Sequence, residues 1–230
     1  MPLILYLFLL IISSSSLLNG FFASTPLPTV TIMLHPAGDT HHSGRQLHDG
    51  TEQSATFGWA QHLKNALEQQ YPYVQVIITH QPGQSIAPLQ AANFANRLHV
   101  DLYITLCVYQ ELAVKPAITL YRFSYGDDFV TNDLNTLWVP YDQAYRLSLT
   151  ATTHYAQQLA QGLSQDAYKN IFSCHGPYAL PISPLMGLNV PAFVIEAGVK
   201  NMQSFMVYVT PIIQSFDPII NTIATRKRGS

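Results

Sequence analysis

The chain contains little charge. Asp, Glu, Lys and Arg make up 10% of its 230 residues, and the formal net charge at pH 7 is −2. Soluble domains average ~25% charged residues. Hydrophobic residues make up 48%, the reverse of the balance typical of disordered chains, so we expect a packed core. The near-neutral charge argues against nucleic-acid binding, which requires a broad basic surface.

Cysteines and familiar catalytic motifs are also scarce. The cysteines are Cys107 and Cys174, which form either one disulfide in an oxidising compartment or two free thiols. The sequence has no HExxH motif, no GxSxG motif and no glycine-rich phosphate loop. It therefore gives no support for a HExxH metalloprotease, a GxSxG hydrolase or a phosphate-loop NTPase.

The N-terminus carries the clearest signal for a cellular compartment. An uninterrupted apolar run spans residues 3–12, and no charged side chain precedes Asp39. The run has the length of the apolar part of a secretory signal and is shorter than the ~20 residues that span a bilayer. Small residues at 20–24 suit a cleavage site, whereas aromatic residues in the same stretch would lengthen an anchor. The sequence predicts export to the periplasm or the extracellular space, with residues 1–24 as a signal peptide or a membrane anchor.

The rest of the chain fits one domain. The sequence TPLP at 25–28 indicates a linker. Residues 29–225 are within the ~250–300 residues that a single core supports. Residues 226–230 carry the basic cluster Arg226-Lys227-Arg228, which we expect to be a solvated tail.

Alternating strand and helix patterns predict an α/β fold. Apolar runs predict strands at 30–34, 74–79, 101–108, 118–123 and 191–196. Helical spacing predicts helices at 55–69, 88–98, 143–163 and 201–225, the last one interrupted or kinked by prolines. The spacing favours parallel crossovers, hence a mostly parallel, twisted sheet with helices on both faces. Ligands bind outside the carboxyl ends of the strands in such sheets.

Residues suited to chemistry lie near the ends of these elements. Glu196 closes an apolar strand, where a carboxylate serves as a general acid or base, serves as a metal ligand, or turns to solvent. Cys107 lies near the end of the third strand and is either a small apolar side chain or a thiolate ligand. Glu52 lies at the start of the first helix, where the helix dipole favours an acidic residue whatever its function.

The loop after the first strand is rich in histidine. His35, His41, His42 and His48 lie in it together with Asp39. This density favours metal binding, although the spacing matches no established zinc motif.

Taken in order, these segments resemble the zinc-dependent N-acetylmuramoyl-L-alanine amidases of bacterial cell walls. The resemblance covers most of residues 29–205. That family has the motif Asp-Pro-Gly-His-Gly-Gly, a glutamate starting the first helix, Ala-Asn, a strand ending Ser-Ile-His, and a last strand with a catalytic glutamate. The corresponding residues here are LHPAGD at 34–39, Glu52, AN at 95–96, ITLC at 104–107 and VIEAGVKN at 194–201.

The resemblance implies a role for each matching position. In the family, two histidines and the first glutamate hold zinc, and the last glutamate is catalytic. Glu52 is therefore implied as a zinc ligand and Glu196 as the general base. Gly38 and Cys107 stand at the two histidine positions. A Cys107 thiolate can hold zinc, but it donates more charge than histidine and would raise the pKa of zinc-bound water.

A ligand is missing where Gly38 replaces histidine. We expect Asp39 to supply it, because Asp39 is nearest to the tip of the strand, with His41 and His42 as alternatives.

The implied function is zinc-dependent hydrolysis of the amide bond between muramic acid and the stem peptide of peptidoglycan. The alternative is a catalytically inactive protein of the same fold that binds muropeptides, other wall fragments or a protein partner. A third interpretation is an altered hydrolase that acts on another amide or peptide. Loss of both histidines favours the inactive protein, and the retained glutamates favour an enzyme.

Overall fold

The computed structural model describes residues 27–125 and 139–229. The predicted signal peptide or anchor at 1–24 lies outside the described residues. Within them, no helix is both long enough and apolar enough to cross a bilayer.

Residues 27–125 and 139–229 form eight strands and four α-helices. The strands are β1 Val30–Pro36, β2 Gln46–Leu47, β3 Gly50–Thr51, β4 Val74–Ile78, β5 Leu102–Gln110, β6 Ala117–Phe123, β7 Ser173–Leu180 and β8 Ala192–Val199. The helices are α1 Glu52–Gln70, α2 Pro88–Leu98, α3 Leu149–Leu163 and α4 Met206–Arg228. Short 3-10 helices span Ala144–Ser148 and Ser183–Leu185.

Six strands form one sheet in the order β4-β1-β5-β8-β6-β7. The first four run parallel to one another, whereas β6 is antiparallel to β8 and parallel to β7. This is the mostly parallel sheet that the sequence predicts. Strands β2 and β3 form a separate small hairpin just before α1.

Helices cover both faces of the sheet, so the prediction of a single α/β domain is confirmed. Alternate residues of β5 point to opposite faces, as the pleat of a strand requires. Leu102 and Ile104 pack in the larger core with α1, α3 and α4. Tyr103 packs in the smaller core, where α2 contributes Ala91, Ala92 and Ala95.

Of the two predicted alternatives for helix α4, an interruption at the prolines is wrong, because the helix is continuous through Pro211 and Pro218. The helix also continues beyond its predicted end, into the basic cluster as far as Arg228. The Lys227 ammonium lies 2.7 Å from the buried carboxylate of Asp101. The prediction of a solvated tail is therefore wrong for Lys227, because the helix carries this side chain back to the amino end of the sheet.

Candidate functional site

The carboxyl ends of β1, β4, β5 and β8 meet at one edge of the sheet, and the loop from 37 to 45 lies there. Cys107 of β5 is the register partner of Glu196 of β8. Register partners on neighbouring strands point to the same face. The two side chains are therefore neighbours, as expected from the convergence of the strand tips.

Glu52 is buried, with 5% of its surface exposed. One carboxylate oxygen, Oε1, accepts the backbone N–H of Val108 at 3.1 Å, and Oε2 accepts the backbone N–H of Arg45 at 3.0 Å. Thr51, not Glu52, is the N-cap of α1, because its hydroxyl accepts the N–H of Ser54 at 3.5 Å. Glu52 thus fastens the loop and the end of β5 to the first turn of the helix.

Gly44 lets the loop pass directly over that carboxylate. A Cβ atom at this position would lie 2.6 Å from Glu52 Oε2, and the backbone φ of +75° is one that L side chains rarely adopt. The positive φ and the short contact each favour glycine at position 44. The short contact also shows that the loop packs closely against Glu52.

Glu196 is bound through both of its carboxylate oxygens. Arg45 Nη1 lies 2.6 Å from Oε1, and the Tyr121 hydroxyl donates to Oε2 at 3.0 Å. Arg45 Nη1 also contacts the backbone oxygen of Val108 at 3.3 Å. The Arg45 side chain is 51% exposed and that of Glu196 is 16% exposed. The pair is therefore partly open to solvent.

Sequence reasoning missed Arg45. A single arginine in a polar loop belongs to no recognisable sequence motif, and its partner Glu196 is 151 residues away in the chain. Tyr121 was also missed, because its position on β6 matches an ordinary strand residue.

Cys107 is a free thiol, and so is Cys174. Burial raises the pKa of the Cys107 thiol, and the nearby charges of Glu52 and Glu196 raise it further, while Arg45 acts in the opposite direction. Cys107 packs on the smaller core and Cys174 on the larger one, at opposite faces of the sheet. Of the two alternatives for these cysteines, the structure has the free thiols.

Asp39 is held by its own loop. Its carboxylate accepts the Ser85 hydroxyl at 2.7 Å and the backbone N–H groups of His41 and His42 at 2.8 and 2.7 Å. The Ser85 hydrogen bond is the main cause that lowers the pKa of Asp39, followed by the bond from His42. The side chains of His41 and His42 are exposed.

A chain of hydrogen bonds joins the loop to β1 and β4. His35 Nδ1 and His80 Nδ1 each lie 2.9 Å from the Thr79 hydroxyl, and His80 Nε2 lies 3.1 Å from the carbonyl oxygen of Gly38. A carbonyl only accepts, so His80 donates from Nε2. With a proton on Nε2, His80 can accept the Thr79 hydroxyl at Nδ1, and the Thr79 oxygen in turn accepts Nδ1–H of His35. Burial lowers the pKa of His35 to about 4.

The arrangement does not fit a zinc ion held by Glu52, Cys107 and Asp39. Both oxygens of Glu52 accept backbone N–H groups, and Asp39 is bound to Ser85 and its own loop. Across residues 27–125 and 139–229, no group of three or more His, Cys, Asp or Glu side chains lies together as metal ligands would. Of the predicted ligands, Glu52 and Cys107 lie close together, whereas Asp39 does not join them.

A pocket of about 460 Å³ opens at the same end of the sheet. Its walls come from the loops after β1 and β4 and from the first two turns of α1: Thr40, Gln53, Ser54, Phe57, His80, Pro82 and Gly83. Amide and hydroxyl groups beside one aromatic ring suit a polar, uncharged ligand group.

Solved structures with similar folds include N-acetylmuramoyl-L-alanine amidases. The catalytic domain of CwlV, an N-acetylmuramoyl-L-alanine amidase from Bacillus (Paenibacillus) polymyxa var. colistinus, superposes with a TM-score of 0.60 at 9% identity, covering 84% of this chain and 99% of that chain. The N-acetylmuramoyl-L-alanine amidase from Clostridium difficile gives a TM-score of 0.60 at 14% identity, covering 84% and 98%. The chain has the amidase fold.

A third amidase, from Mycobacterium smegmatis, agrees, with a TM-score of 0.59 at 13% identity and coverage of 86% of this chain and 100% of that chain. No family model matches the chain, and no curated protein sequence matches it. The likeness to the amidases is thus one of fold, covering nearly their whole length.

Proposed function

We propose that this chain is an exported protein of the amidase fold that binds muropeptides at the carboxyl end of its sheet without zinc-dependent hydrolysis. One observation carries the proposal: both carboxylate oxygens of Glu196 already accept hydrogen bonds, from Arg45 and from Tyr121. A general base needs an oxygen within hydrogen-bond reach of the proton that it abstracts. In this arrangement Glu196 serves to position its two neighbours.

The fold supports the choice of ligand. The similar solved structures are N-acetylmuramoyl-L-alanine amidases, and the 460 Å³ pocket here lies by the carboxyl ends of parallel strands β1 and β4. This pocket offers the Gln53 amide, the Ser54 hydroxyl and the Phe57 ring. A muropeptide presents amides, sugar hydroxyls and an apolar sugar face, which match these groups.

A second candidate is the hydrolase that cleaves the bond between muramic acid and the stem peptide. The observation that favours it is the convergence of Glu52, Cys107 and Glu196, which lie near one another at the end of β5. Hydrolysis would require a Glu196 oxygen to accept the proton of a water molecule while it also accepts a hydrogen bond from Arg45 or Tyr121.

Calorimetric titration with a soluble muramoyl peptide, followed by mass spectrometry of the mixture, separates the two candidates. We expect binding without cleavage, with or without added zinc. The Tyr121→Phe variant should bind the muramoyl peptide more weakly. It removes the hydroxyl that holds Glu196 Oε2, and Glu196 in turn holds Arg45. The Asp166→Asn variant is the control, since the Asp166 side chain is 94% exposed and forms an ion pair with Lys169. Zinc-dependent cleavage that Glu196→Gln abolishes would establish the hydrolase. If the protein neither bound nor cleaved the muramoyl peptide, both candidates would be overturned.

A further inference from the structure

We propose that the amino end of the sheet lies against an anionic membrane surface, with arginines at the ends of α2 and α4 on the lipid headgroups. The contact surface, here called the amino-end face, consists of Arg97, Leu98, Leu147, Arg226 and Arg228. The inference goes beyond the proposed function, because it holds whatever ligand the carboxyl end of the sheet binds.

The start of the domain lies beside the basic cluster at the end of α4. Lys227 Nζ donates to the carbonyl oxygen of Thr29 at 2.8 Å and lies 2.7 Å from the buried carboxylate of Asp101. The chain therefore enters β1 next to the last turn of α4. Because a fully extended chain advances at most ~3.6 Å per residue, Thr29 lies within about 18 Å of residue 24, where the predicted signal peptide or anchor ends. A membrane that holds the apolar run at 3–12 would thus hold this end of the sheet nearby.

The basic cluster keeps an excess of positive charge. The Asp101 carboxylate lies 2.7 Å from Lys227 Nζ and 3.6 Å from Arg226 Nη2, and Arg228 follows at the last position of the helix. One carboxylate offsets one of these three cations. The side chains of Arg226 and Arg228 are exposed, as is that of Arg97 in the last turn of α2. Exposed basic side chains of this kind are attracted to the negative potential of an anionic leaflet.

Exposed leucines lie beside these arginines. Leu98 is 45% exposed and Leu147 is 50% exposed. Leu147 and Arg226 line one pocket of about 400 Å³, together with His99, which follows Leu98 in the chain. At a membrane surface, leucine side chains enter the boundary between headgroups and acyl chains, while arginines stay at the phosphates. A small soluble anion would gain nothing from the leucines, so the composition of the face favours a lipid surface.

This contact would set the orientation of the domain. Strand β5 has nine residues and, at ~3.3 Å per residue, is about 30 Å long. The carboxyl end of the sheet, with Arg45 and Glu196, would then be directed away from the bilayer, about 30 Å from it. A ligand outside the membrane could reach that end without obstruction by lipid. This consequence rests on the proposed function, whereas the membrane contact does not.

Flotation of the full chain with liposomes tests the proposal. One set of liposomes is phosphatidylcholine, and the other is phosphatidylcholine mixed with phosphatidylglycerol. The apolar run at 3–12 is the same in every variant, so the ratio of the two partition coefficients reports the basic side chains. We expect this ratio to fall about 30-fold in Arg226→Gln/Arg228→Gln, because each basic side chain near an anionic leaflet contributes about fivefold.

The matched control removes the same charge at the opposite end of the sheet. Lys115 and Lys200 are exposed, and they lie just before β6 and just after β8, at the carboxyl end. Lys115→Gln/Lys200→Gln should keep the ratio of the wild type. Amide hydrogen exchange gives a second measurement: anionic liposomes should slow exchange in the last turn of α4 and leave residues 111–115 unchanged.

Two results would overturn the inference. The first is a folded Arg226→Gln/Arg228→Gln variant with the lipid preference of the wild type. The second is an equal loss of preference in the lysine control, which would show attraction by overall charge alone. Circular dichroism checks folding, and Arg97→Gln, on another helix, should lower the ratio about fivefold even if the α4 variant does not fold. These measurements involve no muropeptide, so the inference and the proposed ligand can fail separately.

Discussion

Both ends of the sheet carry a carboxylate paired with a cation, and the two pairs differ in burial. At the amino end, Asp101 is 5% exposed, accepts the backbone N–H of Thr31 at 2.8 Å and lies 2.7 Å from Lys227 Nζ. At the carboxyl end, Glu196 and Arg45 are 2.6 Å apart, with Arg45 half exposed. The nitrogen–oxygen distances of the two ion pairs are similar, so distance alone does not distinguish a pair that stabilises the fold from one that takes part in binding.

The difference lies in what else each cation can reach. Lys227 also donates to the backbone oxygen of Thr29, so it joins the last turn of α4 to the start of the sheet. Arg45 comes from a loop, and its side chain is half exposed, with hydrogen bonds from Nη1 to Glu196 and Val108. We interpret the Asp101–Lys227 pair as one that stabilises the fold. We interpret the Glu196–Arg45 pair as part of a binding site, because ligands bind at the carboxyl ends of parallel strands.

The largest expected effect is on stability at the amino end. Asp101→Asn should lower the free energy of unfolding by about 3 kcal/mol, because it removes the charge of a buried carboxylate that lies 2.7 Å from Lys227 Nζ and 3.6 Å from Arg226 Nη2. Urea denaturation measures the change. Asp166→Asn, on the exposed ion pair with Lys169, should change stability by less than about 0.5 kcal/mol. If the two variants lost equal stability, burial would not explain the difference between the two ion pairs.

The carboxyl end should be sensitive to mild acid through His35. Burial lowers its pKa from 6.5 to about 4, with the charge of His80 adding to the shift and that of Asp39 opposing it. The unfolded chain then binds a proton that the folded chain does not, so stability is lost as pH falls from 6.5 towards 4. The loss amounts to about 3 kcal/mol at most.

Urea denaturation at pH 7 and pH 5 tests this, with His35→Asn as the variant. The difference in stability between the two pH values should shrink in His35→Asn. Replacing His41, whose side chain is exposed, should leave the difference unchanged. A pH dependence that persists in His35→Asn would assign the titration to another group.

The sequence predicted most of the fold, because buried strands and amphipathic helices leave periodic patterns. Helix α2 has the predicted bounds, Pro88–Leu98. Strand β7 was not predicted, because it lies at the sheet edge, is mostly exposed and contains Gly176 and Pro177, which are uncommon in strands. The unbroken α4 was not predicted either, because tertiary packing outweighs the two prolines within it.

The site was predicted in part, for a different reason. Glu52, Cys107 and Glu196 could be found because each lies at the end of an element whose pattern is readable. Arg45 could not, because loop conformation and a partner far along the chain determine its place. Asp39 lies in the predicted loop, but its side chain is bound to Ser85, a contact that strand position alone cannot reveal.

A smaller effect is expected from the close fit of the loop on Glu52. Gly44→Ala would place a methyl group 2.6 Å from Glu52 Oε2 at a positive φ. We expect a loss of about 1–3 kcal/mol in unfolding free energy and faster amide hydrogen exchange at Arg45. Gly83→Ala is the matched control: its φ of +84° is similar, but nothing lies within 4 Å of the added Cβ. A greater loss in Gly83→Ala would show that backbone strain, not the contact with Glu52, requires glycine.

The smallest effect on stability, and the largest on binding, should come from Glu196→Gln. The pair with Arg45 is partly exposed, so its loss should cost less than about 1 kcal/mol. The change removes the charge that orients Arg45, so muropeptide affinity should fall at least about tenfold. Asp101→Asn should behave in the opposite way, with lower stability and unchanged affinity below its melting temperature. Denaturation and calorimetry on the same two variants measure both quantities. If each variant lost stability and affinity together, the two ends of the sheet would have to be regarded as one coupled structure.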